Sequence, residues 1–377
     1  MTAGTGLPLN ILHALRAPVG GLFRHVADLA RGQAARGHRV GLIADATTGG
    51  PRGEALLAEL QPDLALGLTR VTMSRQIGFG DVWATALVAR RAAELEVDVL
   101  HGHGAKGGAY ARLANARNAI RVYTPHGGSL HYRWNSAAGF VYLTIEQLLM
   151  RRTDLFLFES DYGRAAFIAK IGQPEPNCVV HNGVSEAEFK PVVSEASATD
   201  LLFIGELRLL KGVDILIDAI ARLGESGRPV TATIVGEGAD RSVFEASVTE
   251  HGLGDAVRFV GAMPARAAFA LGRLLVVPSR AESLPYIVLE AAAAGLPMVA
   301  TRVGGIPEIF GDEAGALIPP GNVTALARAI QLSLEKPDEK HAAALRLRDR
   351  VREAFSTDAM TDAVLAAYRK VLTSKRG

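Results

Sequence analysis

A chain of 377 residues is longer than one hydrophobic core usually supports, so two domains are expected. A formal net charge of +2 gives no case for nucleic acid as the main partner, and a single cysteine, Cys178, excludes an internal disulfide and fits a reducing cytoplasmic setting. No uncharged apolar run is long enough to span a bilayer, and the N-terminal apolar stretch, which is short and ends at Arg16, reads as a first strand rather than a signal peptide.

In chain order, short β-branched or apolar runs alternate with stretches whose apolar residues recur at helical spacing. The first half predicts strands at LNILHAL (9–15), RVGLIAD (39–45), VDVLHGH (97–103), RVYTPHG (121–127), DLFLFES (154–160) and CVVHNGV (178–184). The second half restarts the pattern with LLFIGEL, VTATIVG, VRFVG, LLVVPS, PMVAT and GALIPP. Strand–helix alternation implies right-handed crossovers and parallel sheets covered on both faces. The polar stretch PVVSEASATD (191–200) marks the break between the halves. The expected architecture is therefore α/β, with two Rossmann-like, doubly wound domains over residues 1–190 and 191–355. A terminal helix over 356–377 is expected to pack back on the first domain. Ligand is expected where the carboxyl ends of the two sheets face a cleft.

Two carboxylates in RAESLPYIVLEAAAAGLPMVAT stand out. Glu282 follows the buried strand LLVVPS, and Glu290 lies in an Ala-rich stretch that reads as a helix, with Pro285 near its first turn and Gly295 as its stop. Ionised carboxylates at such a sheet edge accept hydrogen bonds from sugar hydroxyls. The neighbours AAAAG make Glu290 a packed position, where a stray charge is costly. Arg208 and Lys211 stand after the first strand of the second half, where a helix start already favours an anion.

These pieces occur in an order that resembles the GT-B glycosyltransferases, specifically the large retaining family 4. The resemblance is carried by GELRLLKG (205–212), VGEGAD (235–240), VRFVGAM (257–263), the run 277–308 and GNVTALARAI (321–330). In the first half it is carried by PVGGLFRHV (18–26), TPHG around His126 and VVHNGV. It implies a retaining transfer of a sugar from a nucleoside diphosphate donor to a hydroxyl acceptor. His126 is implied to lie beside the donor sugar and the reacting bond, and Gly20 and Gly21 let their loop pass close to the donor phosphates. Glu282 takes the sugar hydroxyls and Glu290 the ribose. The N–H groups of Ser283 and Leu284 meet phosphate or sugar oxygens, and Gly236 and Glu237 line the base side. Arg208 and Lys211 complete the diphosphate site. The family usually has arginine directly after the glycine, where this chain has Glu206, and Arg208 is read as its replacement. His101, His103 and Lys106 fall on the acceptor's side.

Rival readings have less support. VGEGADR lacks the third glycine of a dinucleotide fingerprint, and no G-x-x-x-x-G-K-[ST] or G-x-S-x-G is present. A glycoside hydrolase needs carboxyls roughly 5–9.5 Å apart, whereas an eight-residue helical step rises about 12 Å. His101 with His103, or with His126, lacks a Cys/His framework for a metal, and no Asp-x-Asp ends a strand. Neither metal nor cofactor is expected. A non-catalytic nucleotide-sugar-binding module is the alternative function. The aromatic, basic and apolar segment 128–149 suits a lipid-linked acceptor at the inner face of a membrane, so the expected setting is cytoplasmic with possible peripheral contact, in polysaccharide or glycolipid assembly.

Overall fold

The structure is a computed structural model that describes residues 7–116 and 118–376. The chain divides into two compact units, one formed by Met1–Gly183 with Thr357–Gly377 and the other by Val184–Ser356.

The first unit opens with β1 (Asn10–Ala14), α1 (Gly20–Ala35), β2 (Arg39–Asp45), α2 (Gly50–Leu60), β3 (Gly67–Val71) and α3 (Gly80–Glu94). It continues with β4 (Val99–His103), α4 (Gly104–Leu113), β5 (Ile120–Thr124), α5 (Ala137–Met150), β6 (Leu155–Phe158), α6 (Asp161–Lys170) and β7 (Asn177–Val179). The seven strands are parallel and ordered β3-β2-β1-β4-β5-β6-β7. β2 and β6 read as apolar runs because both of their faces are covered, whereas the central β1 and β4 carry buried histidines among their apolar residues.

The second unit contains β8 (Thr199–Ile204), α7 (Val213–Glu225), β9 (Ala232–Val235), α8 (Arg241–Glu250), β10 (Val257–Phe259) and α9 (Ala265–Ala268). Then come β11 (Gly272–Val277), α10 (Tyr286–Ala293), β12 (Met298–Ala300), α11 (Ile306–Phe310), α12 (Val323–Glu335) and α13 (Pro337–Ala354). Its five parallel strands are ordered β10-β9-β8-β11-β12. The last helix, α14 (Thr357–Arg376), belongs to the first unit, where it lies against α1. Its Val364, Leu365 and Tyr368 join Ile11, Val99 and Val122 in one apolar cluster.

Three sequence expectations are corrected. GALIPP is not a strand; it supplies only an isolated bridge, Ile318 to Thr301, after a 3₁₀ segment over Gly311–Ala316. β3 was not anticipated, because all five of its residues are half-buried at the sheet edge and it shows no apolar run. Glu282 is not on a helix with Glu290: α10 begins only at Tyr286, with Pro285 as its N-cap, so helical rise does not measure their separation. Gly295, with φ of +70°, does end that helix.

Candidate functional site

In the second sheet, the strand order reverses between β8 and β11, and the loops that leave their carboxyl ends meet there. The β8 loop holds a single 3₁₀ turn, Leu209–Lys211, capped by Arg208 and followed at once by α7. Gly212 makes this junction possible. Its φ is +73°, and a Cβ there would strike the carbonyl of Pro278, so the turn presses backbone to backbone on the β11 loop. Arg280 clamps the same junction: its guanidinium donates to Asp214 at 2.7 and 2.5 Å and to the carbonyl of Leu209, while its own N–H reaches the Leu210 carbonyl at 2.8 Å.

That packing brings Lys211 to Glu282. The ammonium lies 2.8 Å from both carboxylate oxygens, and Ser279 Oγ donates to Oε1 at 2.7 Å. Glu282 is only 8% exposed and Lys211 26%, so the cation is the side that solvent, or a ligand, reaches more easily. Arg208 is not drawn into this pair. It is half exposed and faces Glu206 at 3.7 Å. Glu290 is buried in α10, whose residues from Val288 to Ala293 are all enclosed. Leu284 is buried, and the Ser283 carbonyl accepts from Gly305 N–H at 2.5 Å. Gly236 N–H donates to the Gly261 carbonyl at 2.8 Å, whereas the exposed Glu237 side chain accepts from Arg241 at 2.8 Å. A hollow of 460 Å³ lined by Asp200, Arg228 and Arg273 lies at the opposite, amino-terminal edge of the sheet and carries none of these residues.

The first sheet reverses between β1 and β4. Gly20 and Gly21 open α1 after β1. His101 and His103 share one face of β4, and His126 follows β5 with a left-handed φ of +49°, a conformation uncommon outside glycine. These three meet two histidines that sequence reasoning did not single out, His13 on β1 and His25 on α1. His103 lies 2.9 Å from His13 and 3.2 Å from His126. His13 reaches Gln33 at 2.9 Å, His25 reaches Asn182 at 2.9 Å, and His126 lies 3.8 Å from Glu159. His101 is fully enclosed, with one ring nitrogen 2.6 Å from Tyr368 Oη and the other 2.9 Å from Thr124 Oγ1.

Burial disfavours imidazolium throughout. It lowers His13 to about 4 and His25 and His126 to about 3, and it holds His101 and His103 well below the ordinary histidine range. The set is neutral at physiological pH. The available signal was a histidine inside the apolar strand NILHA and another on the apolar stripe of α1. Lys106 stands apart from them on α4, with its ammonium held by Asp81 at 2.6 and 2.7 Å and by the Gln76 carbonyl at 2.9 Å.

Comparison with known proteins follows the two units. The pattern of the family described as Glycosyltransferase Family 4 matches residues 19–188, and that of Glycosyl transferases group 1 matches residues 184–352. The chain is 26% identical over 387 aligned residues to a glycogen synthase of Mycobacterium tuberculosis, covering 95% of this chain and 92% of that one. Among solved structures, it resembles sucrose-phosphate synthase of Thermosynechococcus elongatus with a TM-score of 0.80 at 22% identity, over 97% of this chain and 100% of that chain. It also resembles Anabaena Alr3699/HepE, determined with UDP and glucose, with a TM-score of 0.81 at 21% identity over 96% of this chain and 100% of that chain.

Proposed function

This chain belongs to the family 4 glycosyltransferases of the GT-B fold, and we propose that it moves a sugar from a nucleoside diphosphate donor to a hydroxyl acceptor with retention of anomeric configuration. As a member of an enzyme family it is a glycosyltransferase, which sets the non-catalytic module aside.

The observation that carries the proposal is the Lys211–Glu282 pair at the start of α7. A bound diphosphate offers Lys211 more negative charge than one carboxylate, and the N-terminal end of α7 adds its dipole. Drawn to the phosphates, Lys211 releases Glu282 to accept hydrogen bonds from donor-sugar hydroxyls. One contact thus exchanges for two. As the bond to the sugar breaks, charge grows on the leaving phosphate, where Lys211 counts most. In this reading the diphosphate needs no metal and the reaction no cofactor. In the second unit, Glu290 is assigned the ribose, Gly236–Glu237 the base side and Ser283–Leu284 phosphate or sugar oxygens; in the first unit, Gly20–Gly21 is the loop assigned to the donor phosphates. His126 faces the sugar. Arg208, half exposed beside Glu206, is a peripheral contributor to the diphosphate site. His103, together with His101 and Lys106, belongs to the acceptor's unit.

Binding of UDP, GDP, ADP, TDP and NADH, measured by melting shift without and with added magnesium, tests this. UDP is the first candidate because the Anabaena neighbour was determined with it. A ligand at about 100 times its dissociation constant stabilises by about 2.7 kcal/mol. One nucleoside diphosphate is expected to do so without magnesium, and a response confined to NADH would overturn the reading.

The acceptor reading extends to a lipid-linked saccharide in surface-polysaccharide or glycolipid assembly, reached from the cytoplasmic side. No helix among the described residues is long and apolar enough to cross a membrane, so contact would be peripheral. Phe79, Val82 and Trp83 at the start of α3 are 94%, 69% and 80% exposed, and Phe140, Val141 and Leu148 project from α5. Arg75 and Arg133 are exposed beside them in sequence. Aromatic and apolar side chains flanked by arginines suit an anionic bilayer surface. Flotation with vesicles containing anionic lipid should carry the protein upward at low salt, and Trp83→Ala with Phe79→Ala should abolish this. A wild-type protein that stays at the bottom ends the membrane reading and leaves the donor site untouched.

A further inference from the structure

After His126 the first unit turns through a 3₁₀ segment, Gly128–His131, and enters α5 with aromatic side chains exposed at Tyr132, Trp134 and Phe140. Polar contacts hold this stretch in place. Lys170, the last residue of α6, donates its ammonium to the carbonyls of Leu130 and Tyr132, the second at 2.9 Å. Trp134 Nε1–H donates back to the Lys170 carbonyl at 3.0 Å, and Ser136 Oγ caps α5 by accepting from Gly139 N–H at 3.1 Å. The turn itself sits on α4: a Cβ at Gly128 would stand 3.4 Å from Ala105 N. It therefore leaves the sheet beside the exit of β4, whose His103 meets His126.

The rings of Tyr132 and Tyr142 stack, with centroids 4.6 Å apart and planes 18° from parallel. Tyr142 is the more buried of the two, so it backs one face of Tyr132, and Tyr132, 38% exposed, keeps the other for solvent. An aromatic face fixed in direction suits the C–H face of a pyranose, because the negative π face attracts the slightly positive C–H hydrogens. The hydroxyls at the rim of such a sugar then need polar partners. Arg75 can supply them. It is exposed in the loop after β3, and among the described residues its guanidinium has no hydrogen-bond or ion-pair partner. Its charge reaches the Tyr142 hydroxyl, which burial, Tyr132 and Asp81 push upward and Arg75 lowers. The loop is anchored on both sides of this arginine's neighbour: Lys106 holds the Gln76 carbonyl at 2.9 Å, and Asp81 accepts from Gly78 N–H at 3.0 Å. Asp81 also takes Lys106 and Tyr110 Oη, so its oxygens are already filled and the free donors are those of Arg75.

We propose that Tyr132 and Arg75 form a subsite for the second sugar of the acceptor, so that this chain extends a saccharide of two or more residues in preference to a single sugar. The proposal rests on the glycosyltransferase reading, in which the reacting hydroxyl meets the donor sugar at His126, and not on the membrane reading. The four-residue 3₁₀ turn between His126 and Tyr132 rises about 8 Å at about 2.0 Å per residue, farther than one pyranose reaches. A lipid surface wants apolar side chains, which α5 offers at Phe140, Val141 and Leu148. A hydroxyl-bearing stack beside an unpaired guanidinium suits a polyol instead.

The test measures retention of the full chain, with the stabilising nucleoside diphosphate present, on immobilised mono-, di- and tetrasaccharides of gluco, galacto and manno configuration. Wild type should hold at least one di- or tetrasaccharide about 10-fold more tightly than the matching monosaccharide. Tyr132→Ala and Arg75→Ala should each remove that advantage, whereas Tyr132→Phe should keep it, because the ring face is what the sugar meets. The melting shift with nucleoside diphosphate should be the same in all four proteins; if Tyr132→Ala does not fold, the exposed Arg75→Ala and the conservative Tyr132→Phe decide. Equal retention of single and longer saccharides overturns the subsite, as does wild-type retention by Tyr132→Ala. A wild type that answers the nucleotide but holds no saccharide overturns the subsite alone. One that answers no nucleotide overturns the donor reading and takes the subsite with it. Tyr132→Ala that loses flotation on vesicles but not its saccharides assigns this face to lipid.

Discussion

Lys211→Ala should lower kcat by about 100- to 1,000-fold, the scale found when one preorganised charge-stabilising group is removed from a reacting centre. The expectation follows from geometry rather than from charge alone. Lys211 is the cation that Gly212 and Arg280 hold against Glu282, so its removal takes away the group that meets the leaving phosphate. KM for the donor should rise less than kcat falls, since that charge is greatest after the bond has begun to break. Arg208→Ala should have the smaller effect, because its side chain is half exposed and faces Glu206. Steady-state kinetics with the donor identified by the melting screen separates these outcomes. A higher KM with unchanged kcat would reassign Lys211 to ground-state binding.

Glu146→Ala should destabilise the first unit by about 3–5 kcal/mol, because it strands a buried cation. Arg112 is fully buried, and its Nη1 donates to Glu146 at 2.8 Å while its guanidinium lies 3.7 Å from the Tyr123 ring centre. Tyr123 Oη and Ser129 Oγ each donate to the other carboxylate oxygen at 2.9 Å. These four groups tie α4, β5, the turn after His126 and α5 together, so the loss should be felt at the buried histidines. For a unit of about 200 residues, the melting point should fall by roughly 6–20 °C. Replacing Arg112 and Glu146 together by Met and Leu should cost much less than the single change, because no charge remains unpaired. A double-mutant cycle by thermal melting checks both values; additive losses would show that the two charges do not act as a pair.

How much of this was legible depended on whether a residue's partner lay nearby in sequence. RVGLIAD and LLVVPS are strands because fully covered strands need unbroken apolar runs, and that requirement is local. GLTRV escaped notice because an edge strand is half-wet and need not be apolar. GALIPP was misread for the converse reason: an apolar run can also close a turn under a helix. At the second unit's edge, the carboxylate at 282 and the lysine at 211 were both readable from their strand exits, but their meeting was not. It depends on Gly212 against Pro278, 66 positions away. The meeting of the histidines was hidden more deeply. They and their partners come from β1, α1, β4 and the loops after β5, β6 and β7, so only the sheet order brings them together.

The chain passes between its two units twice, at Gly183–Val184 and at Ser356–Thr357. During synthesis, residues 1–183 emerge with β1, β4 and β5 already made but without α14, whose Val364, Leu365 and Tyr368 cover their apolar face. Tyr368 also supplies the hydroxyl that meets His101. The whole of the second unit, Val184 through Ser356, must leave the ribosome before that cover arrives. The unit begun first is thus completed last, and in the interval its sheet depends on chaperones or on transient packing to stay out of aggregates.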